Sequence, residues 1–256
     1  SDLDGDGLEE IVGATAADYE GGLAYAPLWT RSGAPDGSWR ELSRAFAMPN
    51  AVGLRRLAVQ TASPIDFDGD GDLDLFFAVY GDAHSRGEAY NALLSFAGGD
   101  NHFFRNAGGL VFTEVSDEIG LEGTGYSFIA LAFAADRDGD PDLFEGNDFG
   151  PNVLWRNEGG RFVADEALGL GGVSTYTMGA PLADLEARGR WDLYVSNMSS
   201  EEGMRLLPHF PHLDAETAER VDGIANGNTL YAEGAPGERW TERARLLGGN
   251  ECEWAW

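Results

Sequence analysis

One nine-residue acidic pattern returns four times along this chain, and it limits the fold more than any other feature. The first copy runs Asp2-Leu3-Asp4-Gly5-Asp6-Gly7-Leu8-Glu9-Glu10, and the second Asp66-Phe67-Asp68-Gly69-Asp70-Gly71-Asp72-Leu73-Asp74. The third runs Ala134-Ala135-Asp136-Arg137-Asp138-Gly139-Asp140-Pro141-Asp142, and the fourth Asp184-Leu185-Glu186-Ala187-Arg188-Gly189-Arg190-Trp191-Asp192. Each leads into an apolar, β-prone run: Ile11-Val12, Leu75-Phe76-Phe77, Leu143-Phe144 and Leu193-Tyr194-Val195. The ninth positions fall at 10, 74, 142 and 192, so the intervals are 64, 68 and 50 residues. Self-similarity on this scale marks an array or propeller built from one supersecondary unit.

The spacing has a chemical reason. Side-chain oxygens at positions 1, 3 and 5 of a tight loop converge on one point, a Gly at position 6 permits the sharp turn, and position 7 offers its carbonyl. An EF-hand would add a bidentate Glu at position 12 and flanking helices, but Phe77 stands at position 12 of the second loop and strand-like runs follow. Here the ninth residue closes the cage instead. The donors are then Asp2, Asp4, Asp6, Leu8 and Glu10 in the first loop and Asp66, Asp68, Asp70, Asp72 and Asp74 in the second. In the third they are Asp136, Asp138, Asp140 and Asp142, with Ala134 where the first carboxylate belongs. The competing reading is a solvated acidic turn, since Asp and Gly are turn residues. Carboxylates this crowded repel one another without a cation among them, so Ca2+ is expected in the first two loops, with the third a lesser candidate. In the fourth, Arg188 stands at position 5, and its guanidinium is expected to replace the ion between Asp184, Glu186 and Asp192.

A second motif lies between the loops. Asn101-His102-Phe103-Phe104-Arg105-Asn106-Ala107-Gly108-Gly109 is followed by Phe112-Thr113-Glu114. It returns as Asn152-Val153-Leu154-Trp155-Arg156-Asn157-Glu158-Gly159-Gly160 with Phe162-Val163-Ala164, and more loosely as Asn228-Thr229-Leu230-Tyr231-Ala232-Glu233-Gly234 with Trp240-Thr241-Glu242. Each reads as strand, Gly-rich hairpin, strand. Strands expected over 126–133 and 175–182 precede loops three and four. One unit is therefore strand, acidic loop, strand, connection, strand, hairpin, strand, and four antiparallel strands make a propeller blade. The expected fold is all-β, a β-propeller of about four four-stranded blades, either a closed small ring or an arc of a larger one. It forms a single domain over 1–256 with insertions about 31–57 and 199–227. The second insertion holds a short helix starting at Asp214. The segment Glu253-Trp254-Ala255-Trp256 reads as a strand able to complete the first blade.

Charge excludes several functions. With 17 Lys+Arg against 44 Asp+Glu the formal charge is −27, the wrong sign for nucleic acid or anionic lipid. All the basic residues are Arg, which removes Schiff-base chemistry and a Walker-type lysine. Cys252 is the single cysteine, so no intrachain disulfide forms. No apolar run reaches the ~20 residues of a membrane span. The histidines His84, His102, His209 and His212 read as solvated loop residues, while Trp155 and Tyr194, at repeat positions, read as core packing between blades. No catalytic motif stands out.

The acidic loops with their strand partners resemble the FG-GAP/VCBS repeats of integrin-α-type β-propellers. Asn147-Asp148-Phe149-Gly150-Pro151-Asn152-Val153-Leu154-Trp155-Arg156-Asn157 and Asp192-Leu193-Tyr194-Val195-Ser196-Asn197-Met198 are similar to the cartilage-acidic-protein group, whose members often carry an ASPIC/UnbV domain. That resemblance implies a secreted, periplasmic or surface-exposed calcium-dependent propeller and no particular catalytic activity. The function it points to is a protein–protein binding or scaffold module, or an accessory subunit of a larger extracytoplasmic assembly. The alternative is a polysaccharide-active hydrolase or lyase, which would need a pair of carboxylates outside the acidic loops with a raised pKa at the propeller mouth.

Overall fold

The computed structural model describes residues 1–13, 15–16, 18–20, 23–31, 33–34, 36–49, 57–80, 98–123, 125–148, 150–172, 176–198 and 227–249. They form four antiparallel sheets and two single-turn helices. Sheet 1 holds β1 (Ile11–Val12), β3 (Asp18–Glu20), β4 (Leu23–Thr30) and β5 (Arg40–Pro49). β1 and β3 pair with different stretches of β4, and β5 pairs along it as well. Sheet 2 runs β2 (Thr15–Ala16), β6 (Leu57–Ile65), β7 (Asp74–Val79), β8 (His102–Asn106), β9 (Phe112–Glu114). Sheet 3 runs β10 (Ser127–Phe133), β11 (Asp142–Asn147), β12 (Val153–Asn157), β13 (Phe162–Asp165). In sheet 4, β14 (Thr177–Gly179) and β15 (Leu182–Ala183) both pair with β16 (Asp192–Asn197), which continues to β17 (Thr229–Ala232) and β18 (Thr241–Glu242). The helices α1 (Ser116–Ile119) and α2 (Ala244–Leu247) each end on a left-handed glycine, Gly120 and Gly248.

The sheets pack face to face in chain order. Phe46, Met48 and Leu28 of sheet 1 share a core with Phe77 and Phe104 of sheet 2. Phe76 and Phe103 of sheet 2 share the next with Leu143 and Trp155 of sheet 3. Phe144 and Leu154 of sheet 3 share the third with Leu193, Val195 and Tyr231 of sheet 4. A strand covered on both faces loses the apolar–polar alternation of a half-exposed one, so β7 and β11 are buried at every residue. β4 alternates, burying Ala24, Ala26, Leu28 and Thr30 toward sheet 2.

Units two to four follow the expected order of strand, acidic loop, strand, strand, strand. Sheet 3 has the expected four strands, and sheets 2 and 4 have five because β2 adds an edge to β6 and the strand expected over 175–182 is broken into β14 and β15, with Thr175 outside the described residues. The strand expected from Tyr126 starts at Ser127. His102 corrects another expectation: it lies on β8 between β7 and β9, is buried, and sets its Nδ1 3.4 Å from Glu114 Oε1. Trp155 is buried between sheets and donates from its indole to Glu145 Oε2 at 2.7 Å. Tyr194 is half-buried, its hydroxyl donating to the Gly249 carbonyl at 3.4 Å. His84, His209, His212, Cys252, the helix at Asp214 and the strand at Glu253–Trp256 lie outside the described residues. No helix among the described residues is long and apolar enough to cross a membrane.

Candidate metal centre

Loops two to four each join two neighbouring strands, so their backbone is held at both ends by a sheet ladder, whereas the first loop leads into β1 and is closed by the Glu10 amide on the Ser1 carbonyl at 2.7 Å. Position 6 is a glycine with positive φ in every loop: Gly7 at 86°, Gly71 at 93°, Gly139 at 109° and Gly189 at 68°. Position 4 is left-handed as well, at Gly5 (71°), Gly69 (73°), Arg137 (68°) and Ala187 (51°). The last two are not glycine, yet the turn is kept. An L-residue in this region costs about 1–2 kcal/mol. Ala187→Gly is therefore expected to stabilise the protein by roughly 0.5–1 kcal/mol, read by urea denaturation; an unchanged midpoint would show that the loop tolerates a Cβ there.

The ninth residue is the anchor of each loop. Asp74 is fully buried, with Oδ2 accepting from the Phe67 amide at 3.1 Å and Oδ1 from the Asn106 amide at 2.8 Å. Asp142 repeats this with the amides of Ala135 at 2.7 Å and Asn157 at 2.9 Å. Glu10 takes the Leu3 amide at 2.8 Å and the Thr30 hydroxyl at 2.8 Å. Burial, with the neighbouring carboxylates adding to it against the two amides, pushes Asp74 up to about 6. Asp142 reaches about 6 for the same reasons, with Asp136 and Asp138 as its neighbours.

Around these anchors the remaining carboxylates gather unequally. Oxygens of Asp2, Asp4 and Glu10 lie within 4.8 Å of one another, and so do those of Asp66, Asp68 and Asp70. Asp2 Oδ1 is buried and has no hydrogen-bond partner. In the first loop Asp6 Oδ1 accepts the Leu8 amide at 2.8 Å, and in the second Asp70 Oδ1 accepts the Asp72 amide at 2.9 Å. These bonds brace the turn and leave second oxygens and the position-7 carbonyls of Leu8 and Asp72 for a ligand. All-oxygen donors of this kind suit a hard cation taking six to eight oxygens, which is Ca2+ chemistry. The residues present therefore fit the ion in loops one and two.

The third loop differs. Asp136, Asp138, Asp140 and Asp142 are not brought into one such group among the described residues. Arg156 Nη1 lies 4.0 Å from Asp136 Oδ2, and Arg137 forks onto the Glu233 carboxylate of sheet 4, its Nη2 donating to Oε2 at 2.8 Å. In the fourth loop Arg188 Nη2 donates to Asp192 Oδ1 at 2.6 Å and Nε lies 3.1 Å from Glu186 Oε2. The Arg188 and Gly189 amides bind the two oxygens of Asp184 at 2.8 and 2.7 Å. A guanidinium thus spans the position that carboxylates share elsewhere. Arg188→Asp is expected to convert this loop into one whose stability depends on Ca2+, measured as a chelator-sensitive melt against the parent; a melt equally sensitive in both proteins would refute it.

Comparison with known proteins gives a match to the first part of the chain. The chain matches the FG-GAP-like repeat family over residues 2–77. No curated protein matches it. The matched stretch covers the two loops whose carboxylates converge, the strands β1 to β6 and the first part of β7.

Reading the sequence alone overlooked the asparagines. Asn101, Asn152 and Asn228 each accept, through Oδ1, the amide of the residue ending the neighbouring strand: Val79, Asn147 and Asn197, at 2.8, 2.9 and 2.8 Å. Their recurrence at the head of the second motif was the available signal. Asp148 was overlooked too. It sits just beyond β11, buried, with Tyr80 donating to its Oδ2 at 2.5 Å and its Oδ1 without a partner. Burial raises its pKa above the ordinary carboxylate range. The stability it contributes is present in acid and is lost as pH rises through the raised folded value. Asp148→Asn is expected to raise Tm at about pH 7, with the gain fading toward about pH 4; a gain that is the same at both pH values would show that Asp148 is not ionising in the fold.

Proposed function

We propose that this protein is a calcium-stabilised, propeller-like binding module that works outside the cytoplasm, as a scaffold or an accessory subunit of a larger assembly. The observation that carries it is the convergence of Asp2, Asp4 and Glu10, and of Asp66, Asp68 and Asp70, on loops that lead directly into β1 and β7. In this reading the ions neutralise crowded carboxylates and hold each loop against the next sheet. Strand direction then separates two ends of the stack. The acidic loops and the β8–β9 and β12–β13 hairpins lie at one end, and the β7–β8 and β16–β17 connections leave from the other, at Tyr80 and Met198. Long connections gathered on one end of a repeat stack are where partner contacts are made.

The polysaccharide-active reading needs a pair of raised carboxylates outside the loops. Among the described residues Asp148 alone meets that description, while Glu145 has both oxygens engaged by Ser127 and Trp155. Binding therefore has the stronger support. Calcium titration by calorimetry tests it. Two sites with Kd of about 10⁻⁴–10⁻³ M, the range of extracellular modules, are expected. Absence of heat would remove the calcium, and sub-micromolar sites would argue for an intracellular role.

A further inference from the structure

The residue facing the ninth loop position across the sheet changes from unit to unit. By the strand registers it is Thr30 opposite Glu10, Arg105 opposite Asp74, Arg156 opposite Asp142 and Ala232 opposite Asp192. Thr30 brings a hydroxyl to Glu10 and no charge. Arg105 sets its Nε 3.3 Å from Asp68 Oδ2, at position 3 of the second loop, and offsets one of the five carboxylates there. Arg156 reaches three carboxylates of the third unit: Asp136 at 4.0 Å, Asp165 at 3.7 Å, and Glu158. In the fourth loop position 3 is Glu186, and two guanidinium groups meet it, Arg188 at 3.1 Å and Arg243 at 3.3 Å.

A second arginine enters at position 4. Loops one and two have Gly5 and Gly69 there, so no side chain leaves the turn. Loop three has Arg137 in the same left-handed conformation. Its guanidinium forks onto Glu233, which is buried, and its Nη2 also donates to the Gly189 carbonyl of the fourth loop at 2.8 Å. Glu233 Oε2 in turn accepts the Trp191 amide at 2.6 Å. One side chain therefore ties loop three to loop four and to the residue just past β17. The first two loops reach the next sheet without charge: Asn106 donates to the Leu3 carbonyl at 2.6 Å and Asn157 to the Phe67 carbonyl at 2.8 Å.

We propose that arginine does in the second half of the stack what calcium does in the first, so that losing calcium opens sheets 1 and 2 and leaves sheets 3 and 4 closed. The proposal rests on the calcium reading of loops one and two. A guanidinium keeps its charge and stays on its chain, whereas an ion leaves by mass action. Loop one leans on sheet 2 through Leu3, and loop two leans on sheet 3 through Phe67. Emptying both loops therefore loosens the interfaces on either side of sheet 2. The interface between sheets 3 and 4 keeps the Arg137 fork whatever the calcium concentration. Stability in a stack of repeats is a sum of units and nearest-neighbour interfaces, so the two halves are able to open separately. An ion at hundredfold excess over Kd suppresses the opening of its own segment about 100-fold.

Hydrogen exchange below the melting temperature, in calcium and in chelator, tests this on the wild-type chain. In chelator the amides of β4 and β7 are expected to exchange about 100-fold faster, and those of β12 and β16 to change by less than about threefold. Arg137→Gly gives the converse. It places at position 4 the residue that loops one and two carry, so the turn is suited and only the fork is lost. β16 and β17 are then expected to lose protection in calcium and chelator alike, with β4 and β7 unchanged in calcium. Chelator that changes all four sheets equally overturns the proposal, and so does an Arg137→Gly chain that exchanges as wild type does at β16 and β17. Should that variant not fold, the wild-type pattern decides alone. Calorimetry on wild type separates two levels of failure. Calcium heat together with uniform exchange overturns this proposal and leaves the calcium reading standing, whereas absence of heat removes both.

Discussion

Chelation of divalent cations is expected to lower Tm by roughly 10–20 °C. The magnitude follows from linkage. An ion bound only by the native state at a hundredfold excess over Kd adds about 2.7 kcal/mol, two loops add about twice that, and each 1 kcal/mol moves Tm of a domain this size by about 2–4 °C. The carboxylates that would bind it are crowded, and in the second loop the anchor Asp74 is already pushed up to about 6 by burial and by its neighbours Asp68 and Asp70. Asp68→Ala is expected to remove about half of the calcium-dependent part, whereas Asp184→Ala leaves it intact because Arg188 already spans the fourth loop. Identical melts with and without chelator would end the calcium reading. Equal sensitivity of the two variants would end the ranking of the loops.

Phe67→Ala should cost about 3–5 kcal/mol, the usual range for emptying a phenylalanine site in a core. Phe67 is 2% exposed and packs against Phe103 at 5.2 Å and Phe162 at 4.6 Å, ring centre to ring centre. The same residue holds the second acidic loop: its amide binds Asp74 and its carbonyl takes the Asn157 side chain. The variant should therefore also bind Ca2+ more weakly than wild type, whereas Phe46→Ala, in the core between sheets 1 and 2, should lose similar stability and keep the affinity of loop two. Urea denaturation and calorimetry read the two effects. Loss of stability without loss of affinity would show that the loop is preorganised independently of the core beneath it.

Much of this architecture was legible before any coordinates. The period of the acidic pattern marked the repeats, and the apolar runs after each loop became β1, β7, β11 and β16. Where the reading failed, a distant partner was responsible. His102 read as a solvated loop residue although Phe103 and Phe104 follow it in a strand motif, and strands on both sides bury it. The strand expected over 175–182 broke into two pieces, with the pairing of β14 to β16 shifting register between Thr177 and Gly179. Asp148 lies in a motif that gave no sign of its burial, and its hydrogen-bond partner Tyr80 is 68 residues away.

The sequence by itself determined the local chemistry: which residues are acidic at which spacing, where glycine permits a turn, and that strands alternate with loops. Those properties depend on neighbours a few residues apart, so they survive translation into a string. The tertiary structure decided which carboxylates meet and what each loop leans on. Arg137 and Ala187 stand where glycine would be expected, yet both keep the left-handed turn. Arg137 is held there by Glu233, a residue 96 positions on. Likewise Leu3, Phe67, Ala135 and Leu185 occupy one position of one motif, yet the first three are buried in the cores between sheets and the fourth is 62% exposed. Burial is a property of what packs against a residue, and that partner lies in the next repeat.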